Sequence, residues 1–301
     1  MEDKKVSIVL PVYNGADHIP DSIESIVAQT YQNWELIIVN DCSTDDTLSI
    51  CEKYAMKDNR IRVISNLVNL KLPNTLNAGF DVATGDYYTW TSDDNMYRPK
   101  AIEVLVRTLR QNPELVMVYS DYTNIDAESN FLDEVKLQDP QYIVVGNVCG
   151  ACFLYTAEVA KKVGRYDANL FLAEDYDYWM RIYRYGRIQH ITDDLYLYRR
   201  HAGSLTETRK ASIQEQTYKA IEKNFLPLYT AAERNGFTFA FFDQMIKRGQ
   251  ANEKEVKDML NVVNGKYSRY KRICRFKESV KIIIRRNFVY RFLQKMKGTI
   301  G

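Results

Sequence analysis

The chain has 301 residues, enough for one large domain or for a domain with an appendage. Hydrophobic residues make up 46% and charged residues 27%, the ordinary composition of a globular protein. The net charge is only +2, so no whole-molecule field argues for nucleic acid, and none is expected as a partner.

Residues 6–10 are a continuous apolar run and read as a buried strand, ended by Pro11 and the turn Val12-Tyr13-Asn14-Gly15. A helix is predicted from about Asp17, with Pro20 in its first turn and Ile19, Ile23, Ile26 and Val27 on one face. Residues 34–39 form a second strand, which delivers Asn40-Asp41-Cys42-Ser43-Thr44-Asp45-Asp46. Ser43 or Thr44 can cap the following helix, with Asp45 and Asp46 in its first turn. Leu48, Cys51, Tyr54 and Ala55 would be its buried face, and residues 61–64 a third strand.

Residues 71–80 carry a further helical pattern, with Leu76, Phe80 and Ala83 on one side and Gly85 as its stop. The aromatic, β-prone run that follows ends abruptly in Asp93 and Asp94, just before Pro99. Alternation of strand and helix predicts a parallel sheet with crossover helices. Tyr13, Asp41, Asp93 and Asp94 would then share the rim at the carboxyl ends of the strands, where open α/β sheets bind ligands. No Gly-x-Gly-x-x-Gly follows the first strand and no Walker lysine is present, so phosphates are not held by a glycine-rich loop.

Beyond Pro99, Ile102, Leu105, Val106 and Leu109 mark another helix, and residues 115–119 a strand. Residues 126–142 are polar and are expected to be an irregular mobile loop over the site. Residues 146–155 are β-like, and 156–163 are a short helix stopped by Gly164. Ala173-Glu174-Asp175-Tyr176-Asp177-Tyr178-Trp179-Met180-Arg181 opens a helix expected to end at Gly186, followed by strands at 188–191 and 195–198. From about Thr208 the pattern turns helical, with Pro227 interrupting it, and a domain boundary is placed there: residues 1–207, then 208–301. Residues 266–297 hold many Lys and Arg but one acid, Glu278, with apolar residues at helical spacing. Such a basic amphipathic helix suits an anionic bilayer surface, a partner groove or homo-oligomer contact.

The five cysteines are scattered, and Cys149-x-x-Cys152 has no second pair and no nearby His, so buried thiols are expected rather than disulfides or zinc. The start of the chain lacks a signal-type apolar region, and the expected location is cytoplasmic, with the basic helix allowing peripheral contact with the inner face of the membrane.

Adjacent carboxylates repel, so Asp93 and Asp94 are tolerated best beside a cation or water. Each acid also has a plainer reading. Asp41 and Asp45 can be helix caps, Asp93 and Asp94 a turn before Pro99, and Glu174 and Asp175 first-turn acids facing the helix dipole. Their joint occurrence, rather than any single residue, points to one site.

Four stretches together resemble glycosyltransferase family 2, enzymes of the GT-A fold. They are Val6 through Gly15, Val39 through Asp45, Thr91-Ser92-Asp93-Asp94, and Glu174 through Arg181. Order and spacing match from residue 6 to about residue 205. The resemblance implies an α/β, Rossmann-like, mostly parallel sheet with flanking helices. It also implies inverting transfer of a sugar from a nucleotide donor, usually UDP-linked, to a glycan, lipid-linked or protein-linked hydroxyl, with Mg or Mn. By it, Pro11 and Tyr13 would lie at the base, Asp41 would bond the base edge, and Lys71 and Asn77 would sit at the nucleotide. Asp93 would contact ribose or metal, Asp94 the metal, and Asp175 would be the catalytic base. Many members have Asp-x-Asp-Asp where this chain has Thr91 in the first position, which leaves open whether Asp93 or Asp94 is the direct ligand.

The residues support a coherent chemistry alongside the resemblance. A hydroxyl is a poor nucleophile, so a carboxylate must take its proton. A hard cation would offset charge growing on a nucleoside diphosphate leaving group. His201 can serve as a metal or phosphate contact or as a structural residue. Glu174, Trp179 and Arg181 read as acceptor-side or supporting residues, with Arg181 paired to Asp175 or Asp177. A sugar-nucleotide-forming nucleotidyltransferase and a non-catalytic sugar-binding protein on the same scaffold are the rival readings. The first would need a glycine- and lysine-rich triphosphate loop, which residues 11–15 lack.

Overall fold

A computed structural model of the chain describes residues 4–237, 240 and 241. The chain divides into two compact units, Met1–Ala231 and Ala232–Gly301, and every side chain of the site belongs to the first. The basic segment 266–297 lies outside the described residues.

The first half alternates strand and helix. β1 (Val6–Val12), α1 (Ile19–Val27), β2 (Trp34–Asn40), α2 (Thr47–Lys57), β3 (Ile61–Ser65), α3 (Lys71–Asp81) and β4 (Tyr87–Trp90) follow one another. β1 pairs in parallel with β2 and β4, and β2 with β3, in a register that sets Val12 beside Asn40 and Val9 beside Trp90. Every residue of β1 is buried, as befits a parallel strand covered on both faces. Ile19, Ile23 and Ile26 of α1 are fully buried against the sheet, each contributing about 1.5–3 kcal/mol of burial. Gly79 lets α3 approach β1, because a Cβ there would lie 2.5 Å from a methyl of Val9.

The second half makes the sheet mixed. It contains β5 (Met96–Tyr97), α4 (Ala101–Gln111), β6 (Leu115–Ile125), β7 (Phe131–Val135), β8 (Phe153–Thr156), α5 (Ala157–Val163), α6 (Glu174–Ile182) and β9 (Arg187–Arg199). Among the described residues, α7 (Leu205–Thr208), α8 (Lys210–Lys223) and α9 (Phe225–Arg234) follow. The strand order is β3-β2-β1-β4-β8-β6-β9-β5, with β7 hanging from β6. β8 runs antiparallel between β4 and β6, whereas β9 runs parallel to β6.

Several local expectations are corrected. Residues 126–142 are not irregular throughout: β6 runs on to Ile125 and turns back as β7, and Pro140–Val144 forms a 3-10 turn. Gly85 does not stop α3, which ends at Asp81. Its N–H donates to Ser7 Oγ at 2.8 Å, and a Cβ there would lie 2.7 Å from the Ser7 nitrogen. Likewise α6 ends at Ile182 rather than Gly186, which instead lies against Val116. The strands expected at 188–191 and 195–198 are one strand with register shifts. The interruption expected at Pro227 is present: the helical run breaks at Asn224, between α8 and α9, and Pro227 sits in the first turn of α9, where its missing N–H is tolerated.

The turn to helical pattern at Thr208 falls within the first compact unit. Past it, α8 is anchored to α6 by Asn224, which donates to Asp177 Oδ1 at 2.8 Å.

Candidate active site

One cavity of about 910 Å³ opens at the carboxyl ends of β1, β2 and β4. Pro11, Tyr13, Asp41, Lys71, Asp93, Asp94, Glu174, Asp175, Trp179 and His201 all line it. The parallel register places the residues after each strand on this rim. Three of the five non-glycine residues at positive φ among the described residues, Asn14, Lys71 and Leu172, are in its wall. Rare backbone conformations of this kind gather where surrounding structure holds a site in place.

The end of the cavity at β1 and β2 is built by lacing two loops together. Asn14 N donates to Ser43 Oγ at 3.0 Å, Thr44 N to Asn14 Oδ1 at 2.8 Å, and Gly15 N to Thr47 Oγ1 at 2.9 Å. Ser43 and Thr44 therefore bind the loop after β1 rather than cap α2. Tyr13 is left half exposed. Asp41 is buried and accepts from Asn66 Nδ2 at 2.8 Å, Leu70 N at 2.8 Å and Lys71 N at 3.0 Å, so it fixes the approach to α3. Asn77 is not in the cavity wall. Its amide bonds both the N–H and the carbonyl of Tyr166 at 2.9 Å, which fastens α3 to the loop before α6.

Asp93 and Asp94 differ in environment. A Cβ on Gly15 would lie 1.9 Å from Asp93 Oδ2, so only glycine admits that carboxylate. Burial, then the Asp94 charge, pushes the Asp93 carboxyl up to about 7. Asp94 Oδ2 lies 3.0 Å from His201 Nε2, while Asp94 Oδ1 is buried without a hydrogen-bond partner. An orphaned carboxylate oxygen beside an imidazole fits a divalent cation. No group of three or more ligating side chains exists among the described residues, so donor phosphates would have to complete the shell. His18, which sequence patterning did not single out, lies with its ring 5.5 Å from that of His201.

At the other acids, Asp175 Oδ2 accepts from Asn147 Nδ2 at 2.9 Å, and Oδ1 from Tyr176 N at 2.6 Å. Glu174 accepts from Leu172 N at 2.6 Å, holding a residue at φ 79. Burial raises Asp175 above the ordinary carboxylate range and, together with the Asp175 charge, pushes Glu174 up to about 8. Tyr198 feels both ends of the cavity: burial raises its phenol, and the charges of Asp94 and Asp175 add to the shift. Arg181 bonds Asp177 at 2.8 Å, which settles its partner, and it supports α6 without lining the cavity. Trp179 is fully buried and packs on Phe153 with ring centroids 4.5 Å apart. Ile213 and Thr217 of α8 also reach the cavity wall. Cys149 and Cys152 are buried free thiols.

Asn147 and Tyr198 escaped sequence reading because an isolated Asn or Tyr carries no pattern. Only the fold brings them to Asp175.

The mixed sheet with flanking helices, with an acid-lined cavity at its carboxyl rim, has the GT-A architecture. The family model described as glycosyl transferase family 2 matches residues 7–164, and the chain belongs to that family. It is 33% identical over 242 residues to an uncharacterized glycosyltransferase of Rickettsia prowazekii, covering 76% of this chain and 73% of that protein. It is 29% identical over 220 residues to glycosyltransferase GlyG of Streptococcus pneumoniae, covering 67% and 73%. Among solved structures, S. aureus TarS in complex with UDP-GlcNAc matches with TM-score 0.65 and 18% identity, over 82% of this chain and 74% of that one. The Pyrobaculum calidifontis mannosyltransferase PcManGT, in complex with GDP-Man and Mn2+, matches with TM-score 0.58 and 16% identity, over 90% and 83%.

Proposed function

We propose that this glycosyltransferase moves a sugar from a nucleotide donor, a UDP-sugar foremost, to a hydroxyl of a glycan or glycoconjugate acceptor, with inversion. The observation that carries the reading is the convergence of Asp41, Asp93, Asp94, His201 and Asp175 on one cavity. The TarS complex with UDP-GlcNAc supports a UDP-sugar donor, and the PcManGT complex supports a divalent cation.

In this reading Tyr13 offers its ring to the base, and Asp41 holds the loop that shapes the base pocket. Lys71, exposed at the start of α3, faces the diphosphate. Asp94, whose second oxygen is buried without a partner, and His201 would hold Mn2+ or Mg2+, with Asp93 at the ribose. The cation supplies positive charge where the leaving diphosphate gains negative charge. Asp175, oriented by Asn147, takes the proton from the acceptor hydroxyl as that oxygen attacks the anomeric carbon. The nucleoside diphosphate leaves from the opposite face, which inverts the centre. Residues 1–207 would supply donor binding and the base. Ile213 and Thr217 of α8 would add to the acceptor side, and the basic segment 266–297 would meet a membrane surface or a second copy. No helix among the described residues is long and apolar enough to cross a membrane.

A panel of UDP- and GDP-sugars screened by thermal shift with and without Mn2+, followed by transfer assays with the best donor, tests the reading. Stabilisation by one nucleotide sugar, with its hydrolysis or transfer, is expected. Failure to bind any nucleotide sugar would overturn the reading.

A further inference from the structure

We propose that Arg199 is a positioning residue that sets the spacing of Asp94 and His201. The inference rests on the assignment of those two side chains to the cation. Arg199 does not itself line the cavity, so it acts through them rather than on the donor.

The Arg199 side chain is 1% exposed, and its guanidinium reaches in several directions at once. Nε donates to the main-chain oxygen of Asp94 at 2.9 Å. Nη1 donates to the Ala127 carbonyl at 2.7 Å, to Ser129 Oγ at 2.9 Å and, more weakly, to the Asp126 carbonyl at 3.4 Å. Nη2 donates to Asp21 Oδ2 of α1 at 3.0 Å. The Arg199 backbone N–H donates to Asn95 Oδ1 at 2.8 Å. One planar group therefore ties together α1, the turn after β4, the β6–β7 turn and the end of β9.

This matters because neither cation residue lies in regular structure. Asp94 sits between β4 and β5, and His201 is just beyond β9, yet their side chains meet at 3.0 Å across 107 positions. Arg199 is two residues from His201 and bonded to the carbonyl of Asp94, so it fixes both loops to one rigid plane. A guanidinium presents five N–H groups in a fixed fork, and an ammonium cannot reproduce those directions. The left-handed backbone of Ser129, φ 69, is held at the same plane.

The test is direct Mn2+ binding, followed by the electron paramagnetic resonance signal of free Mn2+ in the presence of UDP. UDP affinity without metal is measured in parallel by calorimetry. Arg199→Lys should weaken Mn2+ binding about tenfold although it keeps the charge, with metal-free UDP affinity within about twofold of wild type. Asp21→Ala, which removes one partner from a half-exposed position, should weaken Mn2+ in the same direction by a smaller factor. Unchanged Mn2+ affinity in folded Arg199→Lys, with only a lower Tm, overturns the proposal. If Arg199→Lys does not fold, Asp21→Ala decides, and unchanged Mn2+ affinity there overturns it. A wild-type chain that transfers sugar but binds no Mn2+ overturns the cation assignment and this proposal, and leaves the transferase reading intact. A chain that binds Mn2+ and UDP normally but transfers no sugar overturns that reading alone.

Discussion

His201 Nε2 lies 3.0 Å from Asp94 Oδ2, and the second oxygen of Asp94 is buried with no partner. In the proposed reading this imidazole and the unsatisfied carboxylate oxygen would be two ligands of a divalent cation. An imidazole ligand favours Mn2+ over Mg2+, which prefers an all-oxygen shell. Chelation should therefore abolish transfer, and Mn2+ should restore it at lower concentration than Mg2+. His201→Ala should raise the Mn2+ concentration for half-maximal transfer by about tenfold or more and narrow the gap between the two metals. Metal titrations of transfer rate check both outcomes.

Gly15 tests the nucleotide end. The Asp93 carboxylate occupies the space a Cβ would need, at 1.9 Å. Gly15→Ala must push Asp93 out of place or shift the loop laced to Thr47. Weaker nucleotide binding is expected, with α6 and its acids untouched. Calorimetry with UDP, compared with wild type, reads the loss directly.

The Glu174–Asp175 pair gives a pH signature. Burial raises both carboxyls in the folded state, Glu174 to about 8. A raised folded value means the protonated form is favoured by folding, so that stability is present at acid pH and lost as pH rises toward 8. Glu174→Gln should flatten the fall of Tm between about pH 5 and 8.5. Activity should run the other way, because the proposed base, Asp175, must be ionised to accept a proton. The hydrogen bond from Asn147 favours that ionised form, so Asn147→Leu should move the acid limb of kcat/KM to higher pH. A pH–rate profile of the two proteins measures the displacement.

Asp177 tests the anchoring of α8. It is fully buried and accepts from Arg181 Nε at 2.8 Å and from Asn224 Nδ2 at 2.8 Å, with Lys223 Nζ at 3.1 Å. Asp177→Ala strands a largely buried guanidinium and cuts the link between α6 and α8. A loss of about 3–5 kcal/mol in unfolding free energy is expected by denaturant titration. Metal-dependent UDP binding should persist below the melting transition.

What the sequence shows of this molecule follows the range of the interactions involved. The β1–β4 half was legible because parallel strands buried on both faces leave continuous apolar runs, and Asp41, Asp93 and Asp94 end those runs. Asp175 was legible because it opens a helix in a dense motif. The end of β6 and the strand β7 were not, since β7 is exposed and lacks the alternation that marks a strand. Gly85 looks like a helix stop in sequence, yet its role is set by contact with Ser7, 78 positions away. Asn77 fits a motif position, but both ends of its amide serve the Tyr166 backbone. Arg199 sits beside Arg200 with nothing in the sequence to tell them apart. One is fully buried and bonded to Asp94, and the other is exposed and paired with Glu207.

The most direct measurement is transfer by Asp175→Asn, a change that keeps side-chain shape and removes the base. Donor and Mn2+ affinity should stay within about twofold while kcat falls about 100- to 10,000-fold. Near wild-type turnover in that variant, with the same product stereochemistry, would contradict Asp175 as the group that receives the acceptor proton.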